Sequence, residues 1–156
     1  MKAQMVGQIF VYILAVILVA FILIYGYNAV QTFKTRAEQV SYIKFKTDME
    51  STIKSISSDF GSVKRAEFLV PSGYREVCFI DLDDPDLVIP PGHPIIKDSV
   101  ESGVKENLFL VREIEEESFY VGKIEVAGNS CIEVKAGKIK VQLEGKGDHA
   151  IISEWE

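Results

Sequence analysis

The chain opens with residues 3–33 free of any charged side chain. Within that run, 9–27 reads Ile-Phe-Val-Tyr-Ile-Leu-Ala-Val-Ile-Leu-Val-Ala-Phe-Ile-Leu-Ile-Tyr-Gly-Tyr, 19 residues without charge or proline. As a helix this segment rises roughly 28 Å, close to the ~30 Å hydrocarbon core of a bilayer. Tyr12 stands near one end and Tyr25 and Tyr27 near the other, where amphipathic rings favour the membrane interface. The pattern predicts a retained transmembrane helix. A cleaved secretory signal fits less well, because its apolar core is usually ~7–15 residues and no small-x-small site follows here.

Beyond the apolar run the hydrophobic positions become helical in period. Val30, Phe33, Ala37 and Val40 are followed by Tyr42, Phe45, Met49, Ile53, Ile56 and Phe60, spaced three or four apart with one slip around Ile43. Positions 29–60 hold no proline or glycine, and Gly61 suits a left-handed C-cap. One long helix over about 7–59 is expected, with Gly26 as a place for a bend. The stripe from Phe45 to Phe60 is read as packing on the protein's own head; the part from Val30 to Val40 is left between that role and packing on other subunits.

After Gly61 the period drops to two. Strands are expected at 62–70, 74–82, 107–114, 118–126, 131–135, 138–144 and 150–155, with a short helix over 94–102 opened by Pro94 and closed by Gly103. In 74–82, Val77 and Phe79 alternate with Cys78, Ile80 and Leu82, so both faces are apolar and the strand is expected to be central. Ile139, Val141 and Leu143 alternate with Lys138, Lys140, Gln142 and Glu144, one face buried and one wet. Ala136-Gly137 reads as a tight hairpin link. The fold class is therefore α+β: a transmembrane anchor over 1–28, a helical stalk over 29–60 and an antiparallel β-rich head over 61–156, built as a sandwich or a curved sheet wrapped on the stalk.

Charge narrows the function classes. Lys2 is the only charged residue before Lys34, which leaves 16 basic against 23 acidic residues in the rest of the chain. An acidic soluble part lacks the basic footprint that nucleic acid requires, so no nucleic-acid partner is expected. Cys78 and Cys131 are the only cysteines, too few and too far apart to make a zinc site alone. Each falls at or in a strand and each precedes an apolar residue, Phe79 and Ile132, so two strands of one small sheet could bring them into a disulfide. Two buried free thiols are the alternative. His93 and His149 have no second ligand at helical or hairpin spacing, and no metal site or cofactor is expected. Asp81, Asp83, Asp84 and Asp86 lack the EF-hand pattern and read as a solvated turn; Glu113, Glu115, Glu116 and Glu117 read as a charged hairpin end. No catalytic motif is present, and no catalytic residue is assigned.

The first residues, Met1-Lys2-Ala3-Gln4-Met5-Val6-Gly7-Gln8, place a basic residue, a small residue and a glutamine directly before the apolar helix. This resembles the class III signal peptides of archaeal type IV pilin-like proteins. The resemblance implies a prepilin-type peptidase that cuts between Ala3 and Gln4 and leaves the helix in place. A cut between Gly7 and Gln8 is the other option, without a preceding basic residue. Where the family often has a glutamate at the fifth mature position, this chain has Gln8. The resemblance also implies a head on the outer side of the cell membrane. The literal positive-inside count, with Lys34, Arg36, Lys44 and Lys46 after the helix and Lys2 before it, favours the opposite orientation. The expected function is a pilin-like subunit or minor pilin, anchored in the lipid bilayer before it joins copies of itself or related subunits in a surface filament. The alternative is a monomeric single-pass surface protein presenting a β-rich binding module.

Overall fold

The computed structural model describes residues 3–84, 92–113 and 116–155. Its first element is a single helix, α1, Ala3–Ser57, which runs through Gly26 without interruption. The uncharged residues and the alanine, leucine and isoleucine content leave nothing to break it before the Gly61 region. Among the described residues it is the one helix long and apolar enough to cross a membrane, and its apolar segment from Ile9 to Tyr27 is exposed. The chain is an α+β protein with a membrane-length N-terminal helix followed by a β-rich part.

Two compact units divide the chain between Gln39 and Val40, inside the expected stalk. The first consists of the N-terminal part of α1. The second contains the rest of α1 and, in order, β1 Val63–Leu69, β2 Glu76–Phe79, α2 Pro94–Glu101, β3 Leu108–Val111, β4 Glu116–Phe119, β5 Ile124–Val126, β6 Cys131–Glu133, β7 Lys138–Gly145 and β8 Ala150–Glu154. The strands form two four-stranded sheets, ordered β1-β7-β8-β5 and β4-β3-β2-β6. Among the described residues the pairs are antiparallel except β5 with β8, which is parallel. The expected hairpin at Ala136-Gly137 has φ values of 52° and 73°, the left-handed pair that a two-residue hairpin requires, and Lys135 bridges to Lys138 across it.

One core joins the helix to both sheets. Phe45, Met49, Ile53 and Ile56 of α1 meet Phe68, Ile139, Val141, Leu143, Ala150 and Ile152 from one sheet and Val77, Phe79, Leu108, Leu110 and Ile132 from the other. Those four helix positions are three or four apart, so they share one face. The predicted stripe from Phe45 to Ile56 thus packs on its own β-rich unit. Phe60 does not join it: the helix stops at Ser57, and Phe60 is 79% exposed. Val30, Phe33 and Val40 are also exposed. A second, smaller core lies on the other face of β2, where Cys78, Ile80, Phe109 and Val111 meet Ile96 of α2. This explains why β2 is apolar on both faces: one faces α1, the other is covered by α2.

The expected strand over 118–126 is two strands. β4 pairs with β3, while β5 pairs with β8 in the other sheet. Gly122, at φ 109°, turns the chain between them, and the buried side chain of Asn107 fixes the turn. Asn107 Oδ1 accepts from Val121 N at 2.9 Å, and its Nδ2 donates to Gly122 O at 2.7 Å. Side-chain bonds thus replace the ladder bonds the backbone gives up as it changes sheets. Replacing Asn107 by Ala leaves both backbone groups without these partners, and a cost of about 2 kcal/mol is expected in urea unfolding. A change below about 0.5 kcal/mol would show that the turn holds without it. Positions 85–91, between the Asp81–Asp84 turn and α2, lie outside the described residues.

Candidate functional site

β2 and β6 are neighbours in register, with Cys78 directly opposite Cys131. The two are joined by a disulfide, with Cα atoms 4.0 Å apart. That is closer than the ~5.5–6 Å commonest for a disulfide. The reason is the pairing: Phe79 N donates to Ser130 O and Val134 N donates to Arg75 O, so residues 78 and 131 face each other at a non-hydrogen-bonded position, the narrow one in an antiparallel ladder. Cys78 is fully buried and Cys131 partly exposed.

Glu76 lies two residues before Cys78 and so projects from the same face of β2. His93, the residue before α2, lies over this face, and its Nε2 is 3.4 Å from Glu76 Oε2. The four ligand-type atoms of Glu76, Cys78, His93 and Cys131 all lie within 4.8 Å of one another. The expectation that His93 has no partner for a metal rested on local spacing. Its companions come from two strands distant in sequence, and only the sheet register brings them together. Glu133 stands opposite Glu76 in the same ladder and adds a second negative charge at this edge. Arg75, beside it, pairs with Glu113 at 2.5 Å.

The other sequence candidates are tied into ordinary surface contacts. Asp81 Oδ1 accepts from Asp83 N at 2.9 Å, a local turn bond, and Asp83 pairs with Lys123 at 3.2 Å. The hydrogen bond to Asp83 raises the pKa of Lys123. Asp86 lies outside the described residues. His149 Nδ1 is 2.7 Å from Asp148 Oδ1, and its Nε2 is 3.3 Å from Glu125 Oε2. The bond to His149 lowers the pKa of Asp148. Glu113 ends the β3 side of a hairpin and Glu116 and Glu117 open β4, while Glu115 lies outside the described residues. A cleft of about 720 Å³ opens between the Asp81–Asp83 turn, the end of α2 at Val100 and the Tyr120–Lys123 crossover. Ala3 and Gln4, the expected processing site, are the first two residues of α1.

No family model, curated protein or solved structure matches the chain.

Proposed function

We propose that the chain is a pilin-like subunit or minor pilin, a structural rather than catalytic part. The apolar segment of α1 holds it in the cell membrane, the β-rich unit lies on the outer side, and the subunit then joins its own kind in a surface filament. The observation that carries this reading is that one uninterrupted helix, Ala3–Ser57, supplies both a membrane-length apolar segment and the central core face of the β-rich unit. A filament needs such an element, because a helix rooted in its own head can leave lipid and bury its apolar segment against copies of itself. The exposed Val30, Phe33 and Val40 would add to that contact. The disulfide supports an outer, oxidising location for the head, against the count of basic residues after the helix.

Mass spectrometry of the protein from native membranes is expected to place Gln4 at the mature N-terminus. Protease added outside intact cells is expected to cleave residues 40–156, and electron microscopy to show filaments that carry the chain. An intact Met1 without filaments would overturn this reading. It would leave a monomeric surface protein, for which the 720 Å³ cleft is the binding surface to probe.

A further inference from the structure

We propose that, when the Cys78–Cys131 bond is reduced, Cys78, Cys131, His93 and Glu76 form a tetrahedral site for one Zn²⁺. The β2–β6 pair is then closed by a metal in reducing surroundings and by a disulfide in oxidising ones. This goes beyond the filament reading and does not depend on it.

The ligand set is two thiolates, an imidazole and a carboxylate, a donor mix that suits a borderline-soft, geometry-tolerant ion and selects zinc over magnesium or calcium. Around tetrahedral zinc, ligand atoms at ~2.0–2.3 Å from the metal lie about 3.3–3.8 Å from one another. Glu76 Oε2 and His93 Nε2 already stand 3.4 Å apart, and all four ligand atoms fall within 4.8 Å. A disulfide holds its sulfurs ~2 Å apart, too close to share an ion as two ligands. Breaking it frees rotation about each Cα–Cβ bond, which is what spreads the two sulfurs. Burial fits as well. Cys78 is sealed beneath α2, whereas the Glu76 side chain is 40% exposed and gives an ion a way in. Thiolates, the carboxylate and neutral imidazole leave the centre with one net negative charge, beside Glu133 opposite Glu76 in the ladder and Arg75 and Arg112 in the same pocket.

The redox step is a two-electron reduction. A trialkylphosphine attacks one sulfur and the S–S bond breaks. Water supplies the oxygen of the phosphine oxide, and its two hydrogens end on the two Sγ atoms. Zinc then displaces both thiol protons to solvent as the two Zn–S bonds form.

The test uses the full-length chain in detergent micelles, reduced with a phosphine that is then removed without air. Co²⁺ is titrated as the spectroscopic probe and Zn²⁺ as competitor. One Co²⁺ per chain is expected, with thiolate-to-metal charge transfer and the visible bands of tetrahedral coordination, displaced by one Zn²⁺. The oxidised chain is expected to show neither. Cys78→Ser, which leaves Cys131 as the one thiolate, should weaken the charge transfer, and the Cys78→Ser, Cys131→Ser double variant should abolish it. His93→Ala should weaken zinc binding beyond the ~10–100-fold that loss of an outer partner costs, while its oxidised form keeps wild-type unfolding. If reduction loosens the β-rich unit, zinc must restore its cooperative unfolding. No tetrahedral spectrum in the reduced chain, equal binding by the oxidised chain, unchanged affinity in His93→Ala, or failure of zinc to restore a loosened fold would each overturn the site.

Discussion

Replacing Gly145 by alanine is expected to destabilise the β-rich unit by about 3 kcal/mol or more. A Cβ at this position would lie 2.0 Å from Ile56 O and 2.3 Å from Asp59 O, both backbone atoms that no rotamer change can move aside. The same spot is where the chain leaving α1 docks on β7. Gly61 N donates to Gly145 O at 2.8 Å, and Gly145 N donates to Ser62 O at 2.9 Å. Making room for one methyl group would therefore pull apart the helix end and the strand together. Gly61→Ala is the informative comparison. Gly61 has a φ of 77° but open space around it, so its substitution should cost only about 1 kcal/mol. Thermal unfolding of both variants measures the contrast, with Gly145→Ala lowering the midpoint by roughly 10 °C or more. If Gly61→Ala proves the more damaging, close approach is not what requires glycine at 145.

Loss of the disulfide should have an effect of similar size. The Cys78–Cys131 bond closes a sequence separation of 53 residues, for which the chain-entropy model gives about 4 kcal/mol. β6 is a three-residue strand at the edge of its sheet that, among the described residues, pairs with β2 alone, so few other contacts hold it in register. The Cys78→Ala, Cys131→Ala double variant, compared with the oxidised wild type in urea, is expected to lose about 2–4 kcal/mol. The slope of the transition should rise, because an uncrosslinked unfolded chain exposes more surface. A midpoint within the error of wild type would mean that the sheet fixes β6 without the bond.

Periodicity along the chain determined which faces are apolar and how long the main elements are. The membrane-length segment follows from 31 uncharged positions in a row, and the buried face of α1 follows from Phe45, Met49, Ile53 and Ile56 at helical spacing. Alternation at Ile139, Val141 and Leu143 defined β7, and apolar residues on both faces placed β2 inside its sheet. These features are local: each residue's neighbours in sequence suffice to say that it must leave water. What closes over each face was decided by tertiary structure. Phe60 continues the stripe in sequence, yet it is exposed because the helix has already ended. Residues 118–126 look like one strand because Phe119, Val121 and Ile124 are all apolar and all buried. The break depends on Asn107, whose two hydrogen bonds cross from another strand's edge. Gly145 looks like a strand end until the carbonyls of Ile56, in α1, and Asp59, just beyond it, arrive beside it. The cluster of Glu76, Cys78, His93 and Cys131 exists only through the β2–β6 register and the placement of α2. A local pattern records the need for burial, whereas a contact between distant segments depends on register and crossover, which no short window of sequence contains.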